Sequence, residues 1–344
     1  MRKKNFLRSS FLVYLLVPLV FSLFFFSYVF PQAVLKLGTL APADSDWVKA
    51  INDVFDEVLH RSAEKPRIIF YTGGVMGDED EMIKKIRIGQ LQGGGFTTLG
   101  IKKIAPELSV LDLPMLFRNE KEVDFIFDKF LPDFEKFFEK RGFKLLLLTE
   151  QGFSYFFTTR KDVSKLKDLG KTHMWGWKDE RVILNVVKIF GTSPIFVLVP
   201  DVLSALETGM LETVDLSPMA CISLQWCNLT KVMINYPYRF EAGAVVIYKK
   251  SWDTLPVDFR SSLETALKQK RKWITEKIRE GNKKSIERLK MMNIKFVDVS
   301  DDEINWFRDE VRKKIWYAEN TEYSHDFLKK IEEELENFRK GKSN

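Results

Sequence analysis

Residues 72–117 read TGGVMGDEDEMIKKIRIGQLQGGGFTTLGIKKIAPELSVLDLPMLF. The stretch is a Gly-rich turn, a short amphipathic helix, a second Gly cluster and an apolar segment bounded by Pro106 and Pro114. Glycine admits positive φ and lets one backbone lie close to another, so glycines at strand–helix junctions mark tight connections. Upstream, residues 34–38 (VLKLG) alternate as a strand, and Thr39 to Pro42 turn into a helix starting at Ser45. In that helix Trp47, Ile51, Val54, Phe55 and Val58 fall on one face. Residues 67–71 (RIIFY) are a second short strand, and 144–149 (KLLLLT) a third, apolar enough to be covered on both sides. Strand and helix alternate, which predicts an α/β fold.

Downstream of Gly152 a second block begins with FSYFFTTR and VSKLKDLGKTHMWGW. In PIFVLVPDVLSALETGMLETVDLSPMA, Asp201 is an N-cap candidate, Val202, Leu203 and Leu206 form an apolar face, and Gly209 can close the helix. The LETVDLS that follows alternates as a strand, as does AGAVVIY at 242–248. From Val257 to about Asn293 there is no proline, and Phe259, Leu263, Leu267, Ile274 and Ile278 recur at helical spacing, predicting one helix about 55 Å long. A last charged helix is expected from Asp301 to the C-terminus.

Four motifs in this order, GGVMGD, GQLQGGGFTTLG, VLDLPMLF and VPDVLSALETG followed by VD, resemble the extracytoplasmic solute-binding proteins of tripartite ATP-independent periplasmic (TRAP) transporters over residues 34–310. The resemblance implies a two-lobed, periplasmic-binding-protein-like α/β fold. Each lobe is a sheet flanked by helices, and a long helix in the C-terminal half joins them. It divides the chain into a signal peptide or anchor (1–33), lobe 1 (34–151 and 243–282), lobe 2 (152–242 and 283–310) and a charged C-terminal helix (311–344). It also implies a small-molecule ligand between the lobes, a periplasmic location, and a permease partner with a small and a large membrane component. Some relatives with a tryptophan-rich cleft also work with helical-repeat proteins. No cofactor is implied.

Composition agrees with an exported globular protein. Arg2, Lys3, Lys4 and Arg8 precede an uncharged run from Phe11 to Phe30, a charged segment followed by an apolar one as in export signals. The run is also long enough to span a bilayer, so cleavage near Ala33 and retention as an anchor both stay open. In either case the remainder faces outward. Removing those four cations from the 54 Lys+Arg lowers the net charge from +6 to +2, a near-neutral balance that gives no sign of the basic face of a nucleic-acid binder. Cys221 and Cys227 are too few for a metal site. If PMACISLQWCNL is helical, their sulfurs lie on different faces and are expected to be buried thiols.

Catalytic motifs are missing: no phosphate loop of the Gly-x-x-x-x-Gly-Lys-Ser/Thr type and no Gly-x-Ser-x-Gly elbow. The acids Asp78 to Glu81 would repel a phosphate and suit the helix dipole instead. His60 and His325 read as solvated surface. Alternation in a strand would put His173 on one face with Trp175 and Trp177, for packing or ligand contact. One imidazole without a nucleophile makes no triad.

The resembled family anchors a ligand carboxylate with an arginine in a segment shaped like D-L-K-G-L-K-x-R-V. Here Asp168-Leu169-Gly170-Lys171-Thr172-His173-Met174-Trp175 places Trp175 at the arginine position. A bidentate, charge-assisted anchor is replaced by an apolar plate with a single N–H. Two further positions of polar contact fall near Ser154 and Ser217. The expected ligand site is thus Trp175, Trp177, Ser154, Ser217, Thr39 and Arg181. Arg160 in the TTRKD turn and Arg181 are the cations that could compensate. Two rival readings stay open: an envelope hydrolase or isomerase on the same scaffold, marked by a perturbed acid–base pair in the cleft, and a membrane-anchored interaction protein with a collapsed cleft.

Overall fold

The computed structural model describes residues 33–341 apart from 64, 179 and 320; the export segment lies outside the described residues. The chain runs β1 (Val34–Thr39), α1 (Asp46–Arg61), β2 (Arg67–Tyr71), α2 (Glu79–Arg87), β3 (Gly93–Thr97), α3 (Thr98–Ile104), α4 (Glu120–Glu139) and β4 (Phe143–Thr158). Next come β5 (Trp175–Gly176), α5 (Arg181–Ile189), β6 (Ile195–Phe196), α6 (Val202–Glu207), β7 (Thr213–Leu216), α7 (Pro218–Ser223), β8 (Val232–Ile234) and β9 (Arg239–Tyr248). The chain ends with α8 (Lys249–Asp253), α9 (Val257–Met291), β10 (Lys295–Val297), α10 (Asp301–Val311) and α11 (His325–Arg339).

Eight of the described strands form one mixed sheet, ordered β10-β8-β4-β9-β3-β1-β2 with β7 beside β4. The long strand β4 organises it. Its first part pairs antiparallel with β9, next to β3, β1 and β2; its last four residues pair with β7 and, in part, β8. The sheet therefore has two ends, each covered by helices, with β4 and β9 running between them.

The expected break at Gly152 is not a break. Gly152 adopts φ 103° where the β4–β9 register shifts, and the strand continues through this bulge for 16 residues in all. A Cβ there would lie 2.6 Å from Asn282 Nδ2. Asn282 on α9 donates to Gln151 O (2.8 Å) and accepts from Met219 N on α7 (3.0 Å). One turn earlier, Arg279 holds Glu150 (2.8 Å) and Asp124 (2.7 Å). The 35-residue α9 is thus pinned where the sheet bends, and the five apolar residues expected on its inner face are all buried.

The second Gly cluster is a strand. Gly93, Gly94 and Gly95 form most of β3, between β1 and β9. A Cβ on Gly93 would meet Val246 O at 2.3 Å, and one on Gly95 would meet Trp47 Cη2 at 2.2 Å. Close approach, not positive φ, is what these positions require. In the first turn the opposite holds, with Gly73, Gly74 and Gly77 at φ 65–88°.

Four local expectations are corrected. Glu79 does not serve the dipole of its own helix: it is fully buried and accepts from Thr97 N (2.6 Å), Thr97 Oγ1 (2.8 Å) and Gly100 N (2.7 Å) in the first turn of α3. Asp201 lies in a 3-10 turn and makes no side-chain cap. The charged C-terminal segment is two helices. Ser324 caps α11 at Phe327 N, so the chain can double back and lay Phe327 and Phe338 against Phe130 and Phe125 of α4. His325 is therefore half-buried, its Nε2 3.1 Å from Ala318 O.

The two cysteines are joined as a disulfide, not buried thiols. The helix assumed in excluding it stops at Ser223. Gln225 turns left-handed (φ 63°) and a 3-10 turn over Trp226–Asn228 brings Cys227 back, with 5.3 Å between the Cα atoms.

Candidate functional site

Three crossovers shape one cleft. Thr39, Thr97 and Leu216 end strands β1, β3 and β7, and each strand leads into a helix, the arrangement in which open α/β sheets place their ligands. The hydroxyls at these junctions are already occupied as caps. Ser45 accepts from Val48 N, Thr97 from Leu99 N and Ser217 from Ala220 N. The cleft encloses about 1070 Å³, part of it open solvent.

One wall is aromatic. Trp175 stands edge-on to Trp177 (4.8 Å between ring centroids, 74°) and to Trp226 (5.2 Å, 87°). β5 and β6 fix Trp175, whose Nε1 donates to Val197 O at 3.0 Å. Trp226 is held within the ring closed by Cys221 and Cys227. Trp177 Nε1 is buried with no hydrogen-bond partner among the described residues. Trp47, Phe96, Leu99 and Met219 add further apolar surface.

The floor is charged and closed on itself. Lys102 bridges Asp112 (2.8 Å) and Glu180. Arg239 bonds Asp112, Asp215 (2.5 Å) and Glu241 (2.7 Å), while Tyr238 donates its hydroxyl to Asp215 (2.5 Å). Glu180 also caps α5 through Ile183 N (2.6 Å). All six charged residues are more than nine-tenths buried. Burial works against the charge on Lys102, but Asp112 and Glu180 outweigh it and its pKa is raised. The Arg239 pKa rises for the same reason, with burial overcome by Asp112, Asp215 and other neighbours. Glu241 is pushed up to about 7, by burial and by Asp215, against the pull of Arg239.

Of the six residues expected to form the site, Thr39, Ser217, Trp175 and Trp177 line this cleft. Ser154 and Arg181 do not. Ser154 is fully buried in β4, the register partner of Arg239 on β9, and its side chain lies beside Glu241. Arg181 opens α5 on its exposed side. Arg160 pairs with Asp162 and Glu212 away from the cleft. His173 does not share a face with the tryptophans, because the strand is only two residues long; it is exposed, 3.9 Å from Glu212.

The charged floor and Trp226 were missed. A signal existed: Asp112, Asp215, Arg239 and Glu241 are lone charges in otherwise apolar segments, the last two at strand spacing in RFEAGAVVIY. A charge inside a buried strand needs a partner, so each pointed to another.

Comparison with known proteins agrees with this geometry. The family model DctP, bacterial extracellular solute-binding protein family 7, matches residues 37–321. The 2,3-diketo-L-gulonate-binding periplasmic protein YiaO of Escherichia coli K12 is 21% identical over 288 residues, 83% of this chain and 86% of that one. Among solved structures, the sugar acid binding protein DctPAm from Advenella mimigardefordensis, in complex with galactonate, superposes with a TM-score of 0.82 at 22% identity, covering 89% of this chain and 98% of that one. A TRAP periplasmic solute-binding protein from Desulfovibrio salexigens with bound orotic acid gives a TM-score of 0.82 at 16% identity, covering 89% and 99%. With two-lobed architecture, cleft and family model in agreement, the chain belongs to the bacterial extracellular solute-binding proteins of family 7, the solute-binding component of TRAP transporters.

Proposed function

We propose that this solute-binding protein delivers to its TRAP permease a ligand more apolar than an organic acid, held between lobe 1 (34–151 and 243–282) and lobe 2 (152–242 and 283–310). One observation carries the reading: Trp175, at the position of the family's carboxylate-binding arginine, lies in an aromatic cleft wall with its N–H already bonded to Val197 O. Lys102 and Arg239 do not replace that arginine, since each is bracketed by buried carboxylates. Burying an ionised ligand there without a counter-charge costs several kcal/mol, roughly.

Thr39, Ser217, Trp175 and Trp177 are the ligand residues in this reading. Arg181 and Ser154, the other two expected ligand residues, are not part of the cleft lining. The disulfide agrees with export to an oxidising compartment, with 1–33 acting as signal peptide or retained anchor. Among the described residues no helix is long and apolar enough to cross a membrane. The permease contributes a small and a large membrane component; a helical-repeat partner is the further element, supported by the aromatic cleft alone. We read the protein as a binder and not an enzyme. The enzyme reading has one observation in its favour, Glu241 titrating near 7 beside Asp215, but Glu241 is bonded to Arg239 and no nucleophile accompanies it.

Native mass spectrometry of protein exported and purified without refolding tests the proposal. The expected result is a mature chain starting near Val34, carrying an intact small molecule with no free carboxylate. A co-purified sugar acid or dicarboxylate would overturn the apolar ligand, and conversion of the bound compound would overturn the binder.

A further inference from the structure

We propose that the ligand of this cleft is an organic cation with an apolar or aromatic body: the body packs among Trp175, Trp177 and Trp226, and the carboxylate-rich floor offsets the positive charge. The inference rests on the reading of the cleft as a site for an apolar, non-carboxylate solute, and goes beyond it by assigning the ligand's charge.

Charge balance is the first argument. Among the described residues lining the cleft, the buried ionisable groups are four carboxylates, Asp112, Glu180, Asp215 and Glu241, against two cations, Lys102 and Arg239. Asp112 is shared by both cations, so the pairs form one connected cluster. By count the cluster is two positive charges short with Glu241 ionised and still one short with Glu241 protonated. A buried anion would add to that excess in a low dielectric, whereas a cation relieves it. Burial is the main cause of the raised Glu241 pKa, and Asp215 and Asp112 add to it against the pull of Arg239.

The aromatic wall points the same way. Trp175 stands nearly perpendicular to both Trp177 and Trp226, with centroids about one ring-width apart. Indole faces are the strongest aromatic partners for a cation, and perpendicular rings present several such surfaces to one small volume. Since Trp175 Nε1 is spent on Val197 O, this indole offers the cleft its π-system and not a donor. Trp177 Nε1, buried without a partner, adds one requirement: the ligand also carries a hydrogen-bond acceptor.

A matched trio of probes decides it: benzylamine, benzyl alcohol and benzoate, of nearly equal apolar body and of charge +1, 0 and −1 at pH 7.5. Each is titrated into the mature protein by tryptophan fluorescence and thermal shift. Benzylamine is expected to bind at least ~10-fold tighter than benzyl alcohol and ~100-fold tighter than benzoate. Its binding also releases protons near pH 7, read by calorimetry in two buffers of different ionisation enthalpy, because the added cation holds Glu241 ionised beside Arg239, Asp215 and Asp112. Glu241→Gln, checked for folding by its melting curve, shrinks the amine-to-alcohol ratio at least ~3-fold. Equal binding of amine and alcohol, or a ratio unmoved by Glu241→Gln, overturns the cation and leaves the apolar reading standing. Preference for benzoate, or no response to any probe at millimolar concentration, overturns both.

Discussion

Ser154 and Arg239 face each other as register partners across β4 and β9, and both meet the same acids: the guanidinium is held by Asp112, Asp215 and Glu241, and the buried serine lies beside Glu241. The charge at this point of the sheet is fixed by protein carboxylates. Replacing it should therefore hurt the fold before it hurts binding. Arg239→Met leaves Asp215 and Glu241 without their cation and Asp112 with Lys102 alone, and is expected to cost about 3–5 kcal/mol in urea unfolding. Arg239→Lys should fall between, since one ammonium cannot serve three acids in a plane. A loss below about 1 kcal/mol would mean that the floor is hydrated and does not act as a closed cluster.

Glu79 gives the fold a pH dependence of unusual sign. Burial raises its pKa from 4.5 to about 7, although Thr97 and Gly100 donate to it. Between these values the folded chain holds a proton that the unfolded chain has released. Its contribution is complete below pH 4.5 and is lost as pH rises through about 7. Compared with Glu79→Gln, the wild type should lose stability from pH 5 to pH 7.5, by at most about 1.4 kcal/mol per pH unit. Urea midpoints of both proteins at four pH values check the sign; a wild type that gains on the variant as pH rises would show Glu79 ionised in the fold.

Local physics was legible and closure was not. Trp47, Ile51, Val54, Phe55 and Val58 repeat at helical spacing behind the Ser45 cap, and all five are buried in α1 as that pattern requires. The same logic found α9 and β7. It failed where a distant partner decides the backbone. Nothing in PMACISLQWCNL breaks a helix by propensity, yet Gln225 turns left-handed so that Cys227 reaches Cys221. Gly152 reads as a boundary, but Asn282, 130 residues away in sequence, stabilises it as a bulge. In the site, Trp175 could be placed because the resembled motif is contiguous. The floor could not, because Lys102, Asp112, Glu180, Asp215 and Arg239 come from five separate segments and identify one another only once folded.

The β3 glycines should separate backbone from side-chain tolerance. Gly93→Ala sets a Cβ against Val246 O and Ile247 Cα, which are fixed in the central ladder, and should cost about 1–3 kcal/mol or more. Gly95→Ala instead meets the ring of Trp47, a side chain that lines the cleft and not ladder backbone. It should lose less stability but weaken ligand binding. Thermal unfolding together with a binding titration on both variants distinguishes the two; an equal stability loss would mean that Trp47 is as fixed as the ladder.

The disulfide should act on the ligand through Trp226. Closing a short ring is worth about 2 kcal/mol by chain entropy, so Cys221→Ser with Cys227→Ser should lower the melting temperature by several degrees. The larger effect is expected in affinity, because Trp226 beside Cys227 packs edge-on to Trp175 and would lose its brace. Wild-type affinity in the double variant, or in reduced protein that remains folded, would show that α7 and its turn position Trp226 unaided.

In the proposed reading Trp175 stands where the resembled family has its arginine, and it carries the last prediction. A ligand surface of about 100 Å² buried against the indoles contributes roughly 2.5 kcal/mol. Trp175→Ala should therefore weaken binding by about 1–3 kcal/mol while leaving the fold intact. Its N–H bond to Val197 O braces β6 as well, so Trp175→Phe, which keeps an aromatic plate without that bond, serves as the control and should recover part of the loss. Ligand addition should change the tryptophan emission of the wild type, and less so that of Trp175→Ala. Succinate and malate should bind neither protein usefully, since Arg160 is paired with Asp162 and Glu212, and Arg239 and Lys102 with buried carboxylates. Trp175→Arg reverses the argument by restoring a cation at the family position, and is expected to bring in binding of small carboxylates. Micromolar binding of succinate to the wild type, unchanged in Trp175→Ala, would show that the charged floor opens to anions and that the tryptophan is only wall.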